Sequence, residues 1–577
     1  MKTRTLLFLI VFCFPGLAIG MEPDPINVDE ILAHLTLRQK VGQMMIMGFE
    51  GTRVTADAMA RINDDCLGGY FVQILENFNF PDELATLSYA LQDAALNNGA
   101  KIPLFISMDQ EGGVAAPLNP YLGATPTPGN MALGASGRAE DAYAAYQAMG
   151  SDMRACGANV NFAPAIDVLK VPTNPDYTIR SFSGDVGRNA VLAAAAVKGL
   201  QAEGVIATAK HFPGLISYNQ DLHSDISHLP ETEAEIKNGA LAHFRAAIDA
   251  GTDMIMTDHV FLDCVDTSLP VTLSPKVLMD LLREQLGYQN LIVTDSMGMG
   301  AISKYYGNAE AAALSVIAGC DIVLQVSRSV EELHVRMDGI LDAVKQGRLT
   351  EQRINESVRR ILTAKAKYRL FSNSKPDDAA VRKGFIRPEL LEANRRAAAD
   401  GIVLVRDEAH LLPLPKQGKK ICVICTPSAV VRPGKNGEAL PMGHPLGHFI
   451  RAKVPAITEV RVGTIPTEAL ADYAISKAEQ ADIIVCASLL AMQSPEQVAF
   501  IKRVLALGKP TVVVGLGDPS DMSLFPEVKT FLAANSPASI CLEAATNVLF
   551  GDAEPMGTLP MPIGDLYPVG YAYTPSQ

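Results

Sequence analysis

Short apolar runs recur along the first two thirds of the chain, at residues 43–49, 69–75, 102–108, 159–164, 205–210, 253–257, 291–295 and 321–326, and helical patterns separate them. Continuous apolar runs of this length suit strands covered on both faces, which is how buried parallel strands read in sequence. Eight such strands alternating with helices predict a (β/α)8 TIM-like barrel over residues 28–368, within the length of roughly 200 to 400 residues usual for that fold. A polar, irregular stretch from Phe371 to Asp378 falls in a predicted linker, 369–387. Beyond it a helical segment near 388–400 leads into apolar runs at 402–405, 420–425, 482–486 and 511–514, which predict a smaller, open α/β sandwich domain over 388–577. Gly515-Leu516-Gly517 lacks the rest of a dinucleotide fingerprint and reads as a strand-to-loop turn.

Composition agrees with two packed domains. The 577 residues exceed what one core usually supports, and 48% apolar against 19% charged residues argues against disorder. A net charge of −14 disfavours nucleic acid and anionic membrane surfaces as partners. The first twenty residues carry Lys2 and Arg4, an apolar stretch from Leu6 to Leu17 and a small-x-small end at Ala18-Ile19-Gly20. They read as a signal peptide, residues 1–20, and predict export to a periplasmic or extracellular space, with no other membrane segment. Eight cysteines follow it, scattered and mostly within apolar runs. Cys422 and Cys425 would point to opposite faces of one strand, so buried free thiols are expected rather than a redox or zinc site. Neither a metal nor a cofactor is called for.

Candidate chemistry sits where the predicted strands end. Asp109, Lys210, His211, Asp258, His259 and Asp295 lie at or just beyond the carboxyl ends of their runs, the rim at which such barrels build active sites. Asp295 is followed by Ser296-Met297-Gly298-Met299-Gly300, small and flexible residues that would leave its carboxylate accessible. Asp258-His259 could equally contact substrate or tie the rim together. The run Lys210-His211-Phe212-Pro213-Gly214, followed by Asp221-Leu222-His223, sets an imidazole two residues from an acid.

That run resembles the signature of family-3 glycoside hydrolases in their β-N-acetylglucosaminidase branch. Leu35–Gln43, Asp109-Gln110-Glu111-Gly112-Gly113, Asn161-Phe162-Ala163-Pro164 with Asp167, Ile179-Arg180-Ser181-Phe182 and Val293-Thr294-Asp295 resemble further motifs in order, and Gly557-Thr558-Leu559-Pro560 extends the likeness to the second domain. The resemblance implies a retaining exo-β-N-acetylglucosaminidase acting on small glycan or muropeptide fragments of peptidoglycan. Asp295 would be the nucleophile, and Asp221 with His223 the general acid/base dyad. Asp109, Arg180, Lys210 and His211 would hold the sugar hydroxyls. An imidazole beside a carboxylate gains basicity and can pass a proton to the leaving oxygen and later take one from water. It also leaves room for phosphate as acceptor, a minor variant.

The chain departs from the pattern in two places. Leu215-Ile216 stand where the family usually has His-Gly, and the longer loop leaves His228, with Asp225, as an alternative acid/base. Val114 and Pro117 stand where arginines are usual, which points to altered specificity or lost activity. With no tryptophan in the chain, stacking under a sugar would fall to Tyr177, Phe182 or Tyr218. A β-glucosidase-like hexosidase and a catalytically silent sugar-binding homologue are the competing readings.

Overall fold

In the computed structural model, which describes residues 23–97, 99–372, 385–425, 432–433, 439–440 and 443–574, each of the first eight apolar runs holds a strand. These are β1 (Met45–Gly48), β2 (Gly69–Phe71), β3 (Phe105–Met108), β4 (Val160–Asn161), β5 (Ile206–Phe212), β6 (Met254–Thr257), β7 (Leu291–Thr294) and β8 (Val323–Gln325). All their residues are buried, so the apolar runs are unbroken rather than alternating. Parallel pairing follows chain order from β1 to β7, and β8 returns to β1 with Met45 opposite Val323. A bridge between Val293 and Ile322 brings β7 and β8 together and nearly closes the barrel.

The helix Leu37–Gln43, second in the chain after Val28–His34, shows how local chemistry sets these boundaries. Thr36 caps it by accepting from the Gln39 amide, and Gln39 Oε1 returns the bond to the Thr36 amide at 2.9 Å, which satisfies two otherwise orphan donors.

The second region carries β9 (Val403–Asp407), β10 (Ile421–Cys425), β11 (Thr458–Arg461), β12 (Ile483–Ser488), β13 (Thr511–Gly515) and β14 (Thr530–Ala533). Their order is β9-β14-β13-β12-β10-β11, parallel except for the edge pair β9–β14. Two of these strands, β11 and β14, are additions to the four predicted apolar runs. Cys422 packs in the cluster on one face of the sheet and Cys425 in that on the other, and all eight described cysteines are free.

The helix Pro388–Asp400 joins the regions, packing on the barrel helices Asn130–Ser136 and Ala139–Ala155 and on the second-domain helix Ser539–Leu549. The Gly557–Pro560 motif lies against the barrel. Arg188 donates to Leu559 O at 3.2 Å and Thr558 Oγ1 at 3.1 Å, and Gly184 N donates to Pro560 O at 3.1 Å. The predicted signal peptide and residues 373–384 of the predicted linker lie outside the described residues. Among the described residues no helix is long and apolar enough to cross a membrane.

Candidate active site

A cleft of about 970 Å³ opens at the carboxyl ends of the barrel strands. Asp109 follows β3, Lys210 and His211 belong to β5, and Asp295 follows β7; all four line the cleft, with Glu111, Asp176, Arg180 and His223. Strand alternation alone would send Lys210 and His211 to opposite faces. The β5–β6 ladder shifts register between Ala209 and Phe212, where the Lys210–His211 bond is cis, and both side chains face the cleft. Gly214 ends this turn at φ +71, where an added Cβ would stand 2.7 Å from both His243 and Phe244.

Glu111 organises the cations. Arg180 donates to both of its carboxylate oxygens at 2.9 and 3.0 Å, while Lys210 Nζ lies 2.6 Å from Glu111 and 2.8 Å from Asp109. Burial alone would raise the Glu111 pKa, but the two cations outweigh it and hold the carboxyl well below its usual range. Lys210 is treated the same way with signs reversed: burial disfavours its charge, and Asp109 and Glu111 more than restore it. Arg180 and Lys210 therefore present fixed, charged donors to the cleft.

A second network surrounds Asp295. His211 makes two bonds to Asp167, donating its backbone N–H to Oδ1 at 3.0 Å and pairing Nδ1 with Oδ2 at 2.9 Å, and its Nε2 lies 3.9 Å from Asp295 Oδ2. Burial would strip the imidazole of its proton, but Asp167 reverses this and raises the pKa. Asp295 is likewise opposed by burial yet held below the usual carboxylate value, chiefly by His211, and its side chain keeps 18% exposure. The Ser296 amide donates to its Oδ1 at 2.6 Å. An ionised, accessible carboxylate results, which is what a nucleophile needs.

Asp258 and His259 are fully enclosed and tie the rim together rather than facing substrate. Tyr218 donates to Asp258 at 3.1 Å, and His259 bonds Thr272 Oγ1 at 2.8 Å and Ser296 O at 3.1 Å. Burial, with Asp167 and Asp295 nearby, pushes Asp258 up to about 7.

The Asp221–His223 loop reaches the cleft. His223 Nδ1 is 2.9 Å from Asp221 Oδ1 and 4.0 Å from Asp176, and its ring is 62% exposed. The loop is fastened to the chain just after Asp295: Gly300 N donates to His223 O at 2.9 Å and Ala301 N to Leu222 O at 3.1 Å. Gly300 permits this approach, because a Cβ there would lie 2.7 Å from His223 O. His228, the alternative acid/base, instead pairs with Asp263 at 2.8 Å and stacks on Phe261 away from the cleft lining. Leu215-Ile216 form a buried two-residue strand beside Val168-Leu169, so the departure from His-Gly serves packing.

Tyr177, Phe182 and Tyr218 do not serve as stacking platforms. All three are buried and absent from the cleft lining; Tyr177 stands edge-on to His211 at 5.1 Å. Glu111 and Asp167 were visible in sequence only as motif members. Their contacts span 69 and 44 residues, a proximity that no local pattern encodes.

Known proteins resemble this chain along most of its length. Residues 36–364 match the glycosyl hydrolase family 3 N terminal domain and residues 402–569 the family's C-terminal domain. A beta-hexosaminidase A of Pseudoalteromonas piscicida is 30% identical over 67% of this chain and 71% of its own length. A beta-N-acetylglucosaminidase/beta-glucosidase of Cellulomonas fimi is 28% identical over 81% of this chain and 85% of its own. The solved structure of a family 3 beta-N-acetylglucosaminidase from Paenibacillus sp. str. FPU-7 is 37% identical, with a TM-score of 0.85 over 92% of this chain and 99% of that one. Through both of its domains, the chain belongs to glycosyl hydrolase family 3.

Proposed function

We propose that this chain is an exported, retaining exo-β-N-acetylglucosaminidase that removes N-acetylglucosamine from the non-reducing end of glycan fragments, peptidoglycan and muropeptide fragments being the source its export signal suggests. The observation that carries the reading is that Asp295 and His223, the latter bonded to Asp221, line one cleft. The printed names of the relatives support the sugar. In this mechanism Asp295 attacks the anomeric carbon as His223 gives its proton to the leaving oxygen. His223 then takes a proton from water, which attacks the glycosyl-enzyme ester and releases the sugar and the Asp295 carboxylate. Asp221 on Nδ1 leaves Nε2 free for that exchange. Arg180, Lys210 and Asp109 would hold the sugar hydroxyls.

Among the described residues, the second domain contributes Gly463, Thr464, Leu489, Pro537 and Ala538 to the cleft, none with a carboxyl group. That favours the barrel loop as the source of the acid/base. The Cellulomonas relative's double name supports glucoside hydrolysis as a second activity. The test is turnover of 4-nitrophenyl N-acetyl-β-glucosaminide and β-glucoside, with mass spectrometry of protein quenched during turnover of a slow fluorinated substrate. A sugar adduct on the peptide carrying Asp295 supports the reading; turnover without adduct and with inverted product sinks the retaining mechanism, and no turnover of either substrate sinks the enzyme.

A further inference from the structure

We propose that Asp176 is a positioning residue for proton transfer: held in a fixed turn of the barrel, it gives His223 a second carboxylate and links that proton donor to the sugar-holding Arg180. This rests on the acid/base role given to His223 above and adds the residue that orients its ring. Asp176 lines the cleft in the loop after β4 and uses its two oxygens differently. Oδ1 pairs with Arg180 Nη1 at 3.0 Å, and Oδ2 lies 4.0 Å from His223 Nδ1. Glu111 takes Nε and Nη2 of the same guanidinium, so a continuous chain of charges runs from Glu111 through Arg180 and Asp176 to the imidazole. Three carboxylates, Asp109, Glu111 and Asp176, share two cations, Lys210 and Arg180. A protonated imidazole offsets the excess negative charge.

Asp221 is a different kind of partner. It stands two residues before His223, and its Oδ1 accepts the His223 amide at 2.8 Å while meeting Nδ1 at 2.9 Å. That contact is local to the loop and travels with it. The Asp176 turn is built around Asn174, which is fully buried. Asn174 Oδ1 accepts the amides of Asp176 at 3.0 Å and Tyr177 at 3.1 Å, and its Nδ2 donates to Tyr218 O at 3.0 Å, three residues before Asp221. From the second domain, Gln493 Nε2 donates to Asn174 O at 3.3 Å. One enclosed amide therefore sets the Asp176 turn against the chain that leads into the acid/base loop. A carboxylate fixed there favours the ring orientation that turns Nδ1 toward the barrel and leaves Nε2 for the leaving oxygen.

The test is a double-mutant cycle in the full chain, read as kcat/KM on methyl and 4-nitrophenyl N-acetyl-β-glucosaminides, because that ratio reports the step in which the glycosidic bond breaks. Asp176→Asn is expected to lower the methyl-glycoside value about tenfold and the nitrophenyl value less than about threefold, since nitrophenolate leaves with little help from an acid. In a His223→Ala background the same substitution should change the methyl-glycoside value less than about twofold. Equal losses on the two substrates, or a loss that persists in full without the imidazole, would assign Asp176 to Arg180 alone and overturn the proposal; so would no loss at all. His223→Ala by itself separates the two readings. If it slows both substrates alike, the acid role falls and the role of Asp176 with it; if it slows the methyl glycoside selectively while Asp176→Asn does not, the acid stands and this inference alone falls.

Discussion

Two groups of largely enclosed acids sit past the carboxyl ends of parallel strands, one in each domain, and they behave oppositely. At the barrel rim, Glu111 and Asp295 are held ionised, because Arg180, Lys210 and His211 outweigh the effect of burial. Past β13, Asp518 and Asp521 have no ion-pair partner among the described residues, and burial pushes them up to about 6 and about 7. A strand tip alone does not make a reactive carboxylate. What distinguishes the rim is cations buried alongside the acids, brought by β5 and by the loop after β4.

The comparison can be broken from either end. The largest effect is expected from Asp295→Ala, which should lower kcat on the nitrophenyl substrate by on the order of 10⁴-fold or more, because in the proposed mechanism it removes the group that forms the intermediate. Residual turnover above a hundredth of wild type would mean that the ionised rim carboxylate is not the nucleophile. His223→Ala should cost roughly 10²- to 10⁴-fold on an alkyl glycoside and distinctly less on the nitrophenyl glycoside, whose leaving group needs little protonation. Equal losses on both would remove His223 from the acid role.

Glu111→Ala should destabilise the protein by about 3 kcal/mol in urea titration, because it leaves the buried Lys210 and the half-buried Arg180 each short of a partner. A neutral outcome would show that Asp109 and Asp176 suffice. Smallest is Asp521→Asn. Asp521 stays protonated in the folded protein up to about pH 7, whereas unfolded aspartate ionises near about pH 4, so folding stability falls as pH rises through that window. The amide cannot ionise. The variant should match wild type in thermal midpoint at pH 4 and exceed it by a few degrees at pH 8, and an unchanged difference across that range would contradict a burial-raised acid.

The barrel was legible because its strands are enclosed on both sides and therefore read as unbroken apolar runs. The same rule hid β11: its sequence Thr-Glu-Val-Arg lies on the sheet edge, where only Val460 is buried, and it reads as polar loop. β14, Thr530–Ala533, is buried throughout and as long as the predicted run 511–514, so its pattern was readable and was passed over. In the cleft, residues joined by sequence spacing were readable, as with Asp221 and His223. Those joined through space were not, which is why Glu111 was missed as the partner of Arg180 and Lys210. The reading of Tyr177, Phe182 and Tyr218 as platforms failed for a related reason: aromatic rings near a motif are as often the packing behind an active site as its surface.

The two bonds from Gly300 and Ala301 to the Leu222–His223 carbonyls give the molecule its own reporter. Those amides are shielded while the loop is docked, so their deuterium uptake measures how often the loop carrying His223 comes away from the segment after Asp295. Because the anchor grows from the segment that follows Asp295, the 221–223 loop is tied to the barrel by the same stretch of chain that carries the proposed nucleophile.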